Sequence, residues 1–321
     1  MLLSRWSLLF VLFLGVLITT KAAGDTTECS TPTSIPVNLH YGVPFVKVMV
    51  NGRGPFSFIV DTGTNRAVIV SPSLARALKM PVLGQTNLVD LSGKYRERVQ
   101  EVAVSTILVA GREFHPGLAL VHRTLQSVGS YDGILGFGLF KNMMLTLDYP
   151  RHCMDLSEGD LAGAEGGNVM PLMLSRIGPM TMLTVGDQAV MAVIDTGGGG
   201  LNLPASVARK VEFERYTEVV VREQTQVSTT YFRGGEMKGQ LRLGGYVFRD
   251  PFVSINSLVP FASIGSAPLQ DFVVTFDQKH QLVRFEARKN THRLERSQLP
   301  SWIPPSEVSS VALLGFAAGG D

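Results

Sequence analysis

Short apolar runs, broken by Asn, Gly, Asp and Pro, follow one another along most of this chain. Such runs, bounded by turn residues, are typical of β-strands joined by tight turns. The 33 glycines and 17 prolines also favour a turn-rich β protein over a helical one. Helix start signals predict only short helical turns, at 71–78 and 205–211. The pattern therefore predicts a mainly all-β fold.

Two of the apolar runs contain an acid where an uncharged residue would be expected. They read "FIVDTGTNRAVIV" (58–70) and "AVIDTGGGGLNLP" (192–204). In each, an apolar strand ends at an aspartate, Thr-Gly follows, and apolar residues then resume. An ionised carboxylate is costly to bury without a partner. Two such acids in one chain call for a joint explanation.

The chain repeats itself when it is aligned on Asp61 and Asp195. A predicted hairpin precedes each acid, with turns at 51–52 and 186–187. Gly111 and Gly245 each lie 50 positions after their acid (111−61 and 245−195). Further on, "YDGILGFGLFKNMMLTLDYPRHCMDL" matches "FASIGSAPLQDFVVTFDQKHQLVRFE". Four correspondences in one order indicate a tandem duplication of a β-rich unit.

The duplication sets the predicted domain boundaries. The first copy covers 35–157 and the second covers 169–287. Residues 158–168, "EGDLAGAEGGN", are small, acidic and rich in glycine, and we interpret them as the linker. The segment 288–321 contains three prolines without a clear period, and we expect it to be extended.

Two matched acid loops can meet near the two-fold axis of a duplicated fold. Like charges about 4 Å apart repel by roughly 4 kcal/mol at an effective dielectric near 20. The pair is therefore expected to share one proton and to titrate as a unit. The ionised member can draw a proton from a water molecule while the protonated member hydrogen-bonds to a substrate carbonyl. Gly63 and Gly197 would supply amide donors, and the hydroxyls of Thr62 and Thr196 would lock the loops together.

These paired Asp-Thr-Gly segments resemble those of the aspartic proteases, and of their bacterial retropepsin-like and pepsin-like members in particular. The resemblance covers nearly all of 35–287. It implies a bilobal acid-protease fold, with two β-barrel-like lobes and an active-site cleft between them. It also implies that an apolar residue and a glycine pack under each catalytic loop. Those residues are Leu135, Gly136, Ile264 and Gly265.

The chain departs from the family pattern in two places. Pepsin-like members have a hydroxyl residue after Asp-Thr-Gly that helps to hold the outer carboxylate oxygen. Thr64 fits this pattern, but Gly198 stands at the matched position of the second loop. Pepsin-like members also carry a tyrosine on a flap hairpin, for which Tyr95 is the candidate in the first copy.

The N-terminus has the features of a secretory signal peptide over 1–24. Arg5 precedes the apolar stretch 6–18, and small residues follow at 20–24. The alternative is an uncleaved membrane anchor. Export permits a disulfide between the two cysteines, Cys29 and Cys153, but their separation leaves the pairing open. A signal peptide predicts a periplasmic or secreted location.

Charge and metal-ligand patterns narrow the function classes. A net charge of +2 without long charged runs indicates no nucleic-acid partner and no anionic membrane. The six histidines lack metal-site spacing, so we expect no metal and no organic cofactor. Asp148 and Asp277 also correspond in the alignment. Because each precedes a turn, we interpret both as turn acids.

The sequence thus supports an exported aspartic endopeptidase with Asp61 and Asp195 as its catalytic pair and a peptide or protein as its substrate. Since both acids lie in one chain, we expect a monomer. One rival is a catalytically inactive peptide- or glycan-binding module in which Gly198 marks a degenerate second site. Another is an obligate dimer that forms its acid pairs between chains.

Overall fold

The structure is a computed structural model that describes residue 29 and residues 33–40, 42–89, 96–123, 131–162, 168–224 and 229–294. Within these ranges strands predominate over a few short helices, which confirms the predicted mainly all-β fold. The predicted signal peptide and most of the predicted tail lie outside the described residues. Among the helices in these ranges, none is long and apolar enough to cross a bilayer.

The first half of the chain forms short strands joined by tight turns. They are β1 (Ile35–Pro36), β2 (Asn38–His40), β3 (Val43–Val50), β4 (Arg53–Asp61), β5 (Val68–Val70), β6 (Val82–Val89), β7 (Arg96–Val104), β8 (Ile107–Val109), β9 (Arg112–Phe114), β10 (Gly117–Val121), β11 (Gly133–Gly136), β12 (Met144–Asp148) and β13 (Cys153–Ser157). A 3-10 helix, Phe137–Phe140, follows β11 directly.

The second half continues in the same way. Its strands are β14 (Val169–Pro171), β15 (Met173–Ser175), β16 (Gly178–Val185), β17 (Gln188–Ile194), β18 (Leu201–Pro204), β19 (Phe213–Gln224), β20 (Thr229–Met237), β21 (Gln240–Leu243), β22 (Tyr246–Arg249), β23 (Phe252–Asn256), β24 (Ala262–Ile264), β25 (Phe272–Asp277), β26 (Leu282–Ala287) and β27 (Thr291–His292).

Three short helices separate some of these strands: α1 (Pro72–Ala77), α2 (Ala205–Ala208) and α3 (Ser266–Leu269). Helix α1 begins where the sequence predicts it, because Ser71 caps it by accepting a hydrogen bond from the Leu74 N–H (3.1 Å) and Pro72 opens its first turn. Helix α2 is shorter than the predicted stretch 205–211.

Two large sheets show the duplication directly. The strand order of the first is β6-β7-β10-β5-β11-β4-β3-β8-β9, with β2 paired to β3. The order of the second is β19-β20-β23-β18-β24-β17-β16-β21-β22-β27, with β15 paired to β16. Apart from β27, the two orders correspond strand by strand. The bilobal arrangement, its cleft and the domain boundaries stay predictions.

A third sheet is built from both copies. Its order is β1-β13-β12-β25-β26-β14, and β12 of the first copy pairs antiparallel with β25 of the second. Above this seam, the buried rings of Phe137 and Phe276 meet edge to face at 5.3 Å between centroids. The two copies therefore share main-chain hydrogen bonds as well as core packing.

The strand that carries the first acid is set in register by its hairpin turn. Asn51 (φ 49°) and Gly52 (φ 72°) both adopt the left-handed conformation that a two-residue type I′ turn requires. The turn joins β3 to β4 and pairs Phe45 with Ile59. Because side chains alternate along a strand, this register places Phe58 and Val60 in the core and brings Asp61 to the strand's end.

The packed structure extends past both predicted ends of the second copy. Strand β27 pairs in parallel with β22, and Leu294 is buried, so the segment that begins at 288 is partly integrated into the second large sheet. In the predicted linker, Leu161 is buried and its N–H donates to Asp277 Oδ2 (2.8 Å).

Cys29 and Cys153 form a disulfide, which decides the pairing that the sequence left open.

Candidate active site

The two Asp-Thr-Gly loops lie against each other. Asp61 is the last residue of β4, and Asp195 directly follows β17. A Cβ atom on Gly63 would lie 2.3 Å from Asp195 Oδ1, and one on Gly197 would lie 2.6 Å from the Asp61 carboxyl carbon. Only glycine leaves room for the acid of the opposite loop at these positions. The structure thus brings together the two acids that the sequence aligns.

Main-chain amides hold each carboxyl group. The Gly63 N–H donates to Asp61 Oδ1 at 2.8 Å. The N–H groups of Gly197 and Gly198 donate to Asp195 Oδ1 at 3.1 and 3.0 Å. These contacts fix both carboxyl groups at the loop surface while each aspartate keeps partial solvent exposure. A water molecule and a substrate can therefore reach them.

The surroundings of the pair favour a shared proton. Burial raises the pKa of Asp61 well above its ordinary value, and the charge and hydrogen bond of Asp195 raise it further. Burial also raises the pKa of Asp195, although hydrogen bonds from Asp61, Gly198 and Gly197 act in the opposite sense. We treat the pair as one titrating unit, as two carboxyl groups in contact require.

A reciprocal set of threonine hydrogen bonds locks the loops. Thr62 Oγ1 donates to the Ile194 carbonyl (2.6 Å) and accepts from the Thr196 N–H (3.1 Å). Thr196 Oγ1 donates to the Val60 carbonyl (2.7 Å) and accepts from the Thr62 N–H (3.0 Å). Both threonines are fully buried. Each hydroxyl therefore satisfies two main-chain groups, and all four bonds run between the two copies.

The four residues predicted to pack beneath the loops lie on β11 and at the end of β24, next to the strands that lead to the acids. β11 runs parallel to β4 and pairs Leu135 with Val60, while β24 runs parallel to β17 and pairs Ile264 with Ile194. Both apolar side chains are buried. A Cβ on Gly136 would lie 1.9 Å from the Arg66 carbonyl oxygen, so only glycine fits under the first loop.

Gly265 plays the same part under the second loop. A Cβ there would lie 2.6 Å from the Gly200 carbonyl oxygen. Three successive N–H groups, from Gly265, Ser266 and Ala267, donate to the carbonyls of Gly200, Gly198 and Gly199 at 2.8 to 2.9 Å. These bonds hold a loop of four consecutive glycines in one conformation.

The two residues that follow the Asp-Thr-Gly segments differ in what they contact. The Thr64 hydroxyl accepts a hydrogen bond from the Arg66 N–H (3.4 Å). Gly198 offers no hydroxyl, but its own N–H donates to Asp195 Oδ1. A main-chain donor thus holds the carboxyl group of Asp195 without a side chain at position 198. Tyr95, the flap candidate, lies outside the described residues.

The remaining sequence-predicted acids are turn residues in the structure. Asp148 accepts from the Arg151 N–H (3.0 Å), and Asp277 accepts from the His280 N–H (3.0 Å). Across the part of the chain that the structure describes, there is no cluster of His, Cys, Asp and Glu that could hold a metal ion.

Sequence analysis missed two tight turns that cross between the copies. Gly178 (φ 119°) packs on the first acid loop, where its Cβ position is 3.0 Å from the Thr62 carbonyl oxygen, and the Asn65 side chain donates to the neighbouring Ser175 carbonyl. On the other side, Gln270 Nε2 donates to the Gly42 carbonyl (3.2 Å). The signal was available, since these glycines precede their acids by similar intervals, 61−42 = 19 and 195−178 = 17.

A second long hairpin was also missed. β19 and β20 form an edge hairpin in the second large sheet at the position that β6 and β7 occupy in the first. The two strands of this hairpin pair from Phe213 with Met237 to Gln224 with Thr229. Shifting β6 and β7 by the 134 positions between the acids (195−61) places them on β19 and β20, so alignment on the acids could have revealed this hairpin.

Comparison with known proteins gives one match. The model of a protein family described as aspartyl protease matches residues 46–139. This range contains Asp61, Leu135 and Gly136 but ends before the second acid loop. A search of curated proteins finds no match. The family match supports a hydrolase that acts as a protease, and together with the paired Asp-Thr-Gly loops it supports an assignment to the aspartic protease family.

Proposed function

We propose that this protein is an exported aspartic endopeptidase that hydrolyses peptide bonds with water activated between Asp61 and Asp195. The observation that carries the proposal is the contact between the two acid loops, each with its carboxyl group held by amides and partly exposed. Two acids in contact that only served packing would lower stability, because like charges repel.

The reaction needs only the pair, one water molecule and the peptide. The ionised carboxylate takes a proton from water as the water oxygen attacks the carbonyl carbon, and the protonated carboxyl gives its proton to the carbonyl oxygen. In the tetrahedral intermediate the C–N bond then breaks: the protonated carboxyl gives its proton to the leaving amine, and one hydroxyl of the intermediate gives its proton to the ionised carboxylate. One acid and one amine are formed, and the pair ends with the single proton with which it began.

The raised pKa values set the expected pH dependence. The pair is active with one proton, so activity falls at low pH when both carboxyls are protonated and at high pH when both are ionised. Because burial raises the pKa of both groups, both limbs should lie at higher pH than the ordinary aspartate value of about 3.9 would give.

Location, assembly and subtype complete the proposal. The charged and apolar pattern of 1–24 supports export to the periplasm or the medium. One chain contains both acids, which supports a monomer. The hairpin β19–β20 gives the second copy a counterpart of β6–β7, and this similarity of the two halves supports a duplicated single chain of the bacterial retropepsin-like and pepsin-like kind.

Cleavage of a mixed peptide library at a series of pH values tests the function. The wild-type protein should cleave internal bonds, and Asp61→Asn and Asp195→Asn should each abolish cleavage. Asp148→Asn is the matched control, because it removes a carboxylate at a duplicated turn position, and it should cleave like the wild type. Mass spectrometry of the products identifies the bonds cut.

Two results would contradict the proposal. If the folded wild-type protein cleaves nothing at any pH, the rival peptide- or glycan-binding module takes its place. If Asp61→Asn abolishes cleavage but Asp195→Asn does not, a pair acting as one unit is wrong. Size-exclusion mass of the active protein distinguishes the monomer from the obligate dimer.

A further inference from the structure

Tyr149 of the first copy reaches across to the second acid loop. It directly follows Asp148, its side chain is 2% exposed, and its hydroxyl lies 3.3 Å from Ser266 Oγ. Ser266 belongs to the second copy, where it follows Gly265 at the start of α3 and is fully buried. This contact therefore joins the closing hairpin of one copy to the segment beneath the acid loop of the other.

The direction of the hydrogen bonds follows from the contacts of Ser266. Its hydroxyl donates to the Thr196 carbonyl at 2.6 Å. A serine hydroxyl has one proton, so the Tyr149 hydroxyl is the donor in the bond to Ser266 Oγ. The chain of donors thus runs from Tyr149 through Ser266 to the carbonyl of the residue after Asp195.

The series of hydrogen bonds ends at the peptide group between Thr196 and Gly197, which makes two of them. Its carbonyl, from Thr196, accepts from Ser266, and its N–H, from Gly197, donates to Asp195 Oδ1 at 3.1 Å. Resonance across the peptide bond couples the two ends. Donation to the carbonyl makes the N–H a stronger donor, and linked hydrogen bonds reinforce one another in this way.

We propose that Tyr149 is a positioning residue for Asp195, acting through the Ser266 hydroxyl and the Thr196–Gly197 peptide. Its hydroxyl strengthens the main-chain donor that holds the Asp195 carboxylate, and its buried ring shields these hydrogen bonds from water. Tyr149 touches neither substrate nor the reacting atoms. Asp61 acts on Asp195 across the pair, and the charge of Asp195 in turn acts on the Tyr149 hydroxyl behind the loop.

Two further observations agree with this assignment. Burial raises the pKa of the Tyr149 hydroxyl, and the negative charge of Asp195 raises it further, so the phenol stays protonated and available as a donor. The matched residue of the second copy, Gln278, donates from Nε2 to the Phe137 carbonyl at 2.8 Å. Phe137 corresponds to Ser266 in the alignment, so each copy supports the other copy's loop from the position after its turn acid.

The test compares two tyrosines that lose the same atom. Tyr149→Phe removes the hydroxyl behind Asp195. Tyr246→Phe is the matched control, because that hydroxyl is also buried and bonded, donating to the Phe285 carbonyl (3.0 Å) and accepting from the Ala287 N–H (3.2 Å). Ser266→Ala removes the middle member of the chain of donors.

Two readouts are needed, and the first rests on the proposed function. Tyr149→Phe and Ser266→Ala should each lower kcat by about two- to tenfold with KM unchanged, the effect of one weakened hydrogen bond. Both limbs of the pH profile should move to higher pH, because a weaker Gly197 donor stabilises the ionised Asp195 less. The double variant should lose no more than Ser266→Ala alone, since both residues act through one route.

The second readout does not require turnover. Carboxyl carbon-13 shifts of labelled aspartates report the titration of the pair directly, and the midpoint should rise in Tyr149→Phe and Ser266→Ala but not in Tyr246→Phe. If Tyr149→Phe changes thermal stability as Tyr246→Phe does and leaves the titration in place, the positioning role is wrong. If the wild type cleaves no peptide while the titration shifts as expected, the proposed function fails and the positioning role stands.

Discussion

At the scale of single residues, the hydroxyls of Thr62 and Thr196 hold the two loops together. Each lies in a fully buried side chain and satisfies one carbonyl and one N–H of the opposite loop. A valine has nearly the same shape as threonine but leaves those groups without that partner. The four bonds therefore make the contact between the acids depend on two small side chains.

Thr62→Val should lower the free energy of unfolding by about 2–6 kcal/mol, because it deprives two buried main-chain groups of a partner at roughly 1–3 kcal/mol each. Thr146→Val is the control: that hydroxyl also crosses between the copies, but its bond is to the Thr275 hydroxyl (3.1 Å), and the loss should be near 1 kcal/mol. Denaturant unfolding measures both. Equal losses would show that the bonds of Thr62 have no special weight.

At the scale of elements, the position of each acid depends on how closely its loop packs on the end of the neighbouring parallel strand. β4 and β11 run parallel, and the chain after Asp61 folds back over Gly136. The N–H groups of Gly136 and Phe137 donate to the carbonyls of Ala67 and Thr64 at 3.0 and 2.8 Å. The loop thus lies on the main chain itself, where any side chain would push it away.

Gly136→Ala should disturb the first acid loop, because its Cβ would lie 1.9 Å from a main-chain oxygen that cannot rotate aside. We expect a loss of about 1–3 kcal/mol or more in the free energy of unfolding, together with loss of peptidase activity. Gly84→Ala is the control, since its Cβ meets only the end of the Glu101 side chain at 3.5 Å. A Gly136→Ala variant as stable and active as Gly84→Ala would contradict this account.

At the scale of the whole molecule, long-range links tie the start of the described chain to its middle. Cys29 is bonded to Cys153 at the start of β13, and β1 pairs with β13 beside it. The disulfide joins residues 124 positions apart. It therefore restricts the unfolded chain over most of the first copy, and it holds the N-terminal segment on the sheet that both copies share.

Replacing both cysteines with serine should lower the free energy of unfolding by about 2–4 kcal/mol, mainly by relaxing the unfolded chain. Denaturant unfolding under oxidising conditions measures the loss. A reductant should bring the wild type down to the stability of the variant and leave the variant unchanged. A wild type whose stability does not respond to a reductant would show that the disulfide contributes little.

The secondary structure could be predicted because it depends on the local pattern of apolar, turn and capping residues. The strands leading to Asp61 and Asp195, the turn at Asn51-Gly52 and the cap of α1 depend on residues close in sequence, so their signals are visible without the fold. The duplication added long-range information, because equal spacing from the two acids implied equivalent places. The place of Leu135 and Ile264 beneath the loops came from the family resemblance instead.

By itself, then, the sequence determined the β strands, the duplicated unit and the two acid loops. Only the tertiary structure decided two contacts between the copies, the turn at Gly178 against the first loop and the Tyr149 hydroxyl behind the second. It also decided the docking of β27 and the partner of Cys29. The physical reason is that a periodic pattern reports which face of an element is buried. It does not report which distant residue that face meets, since the meeting depends on how all the sheets pack together.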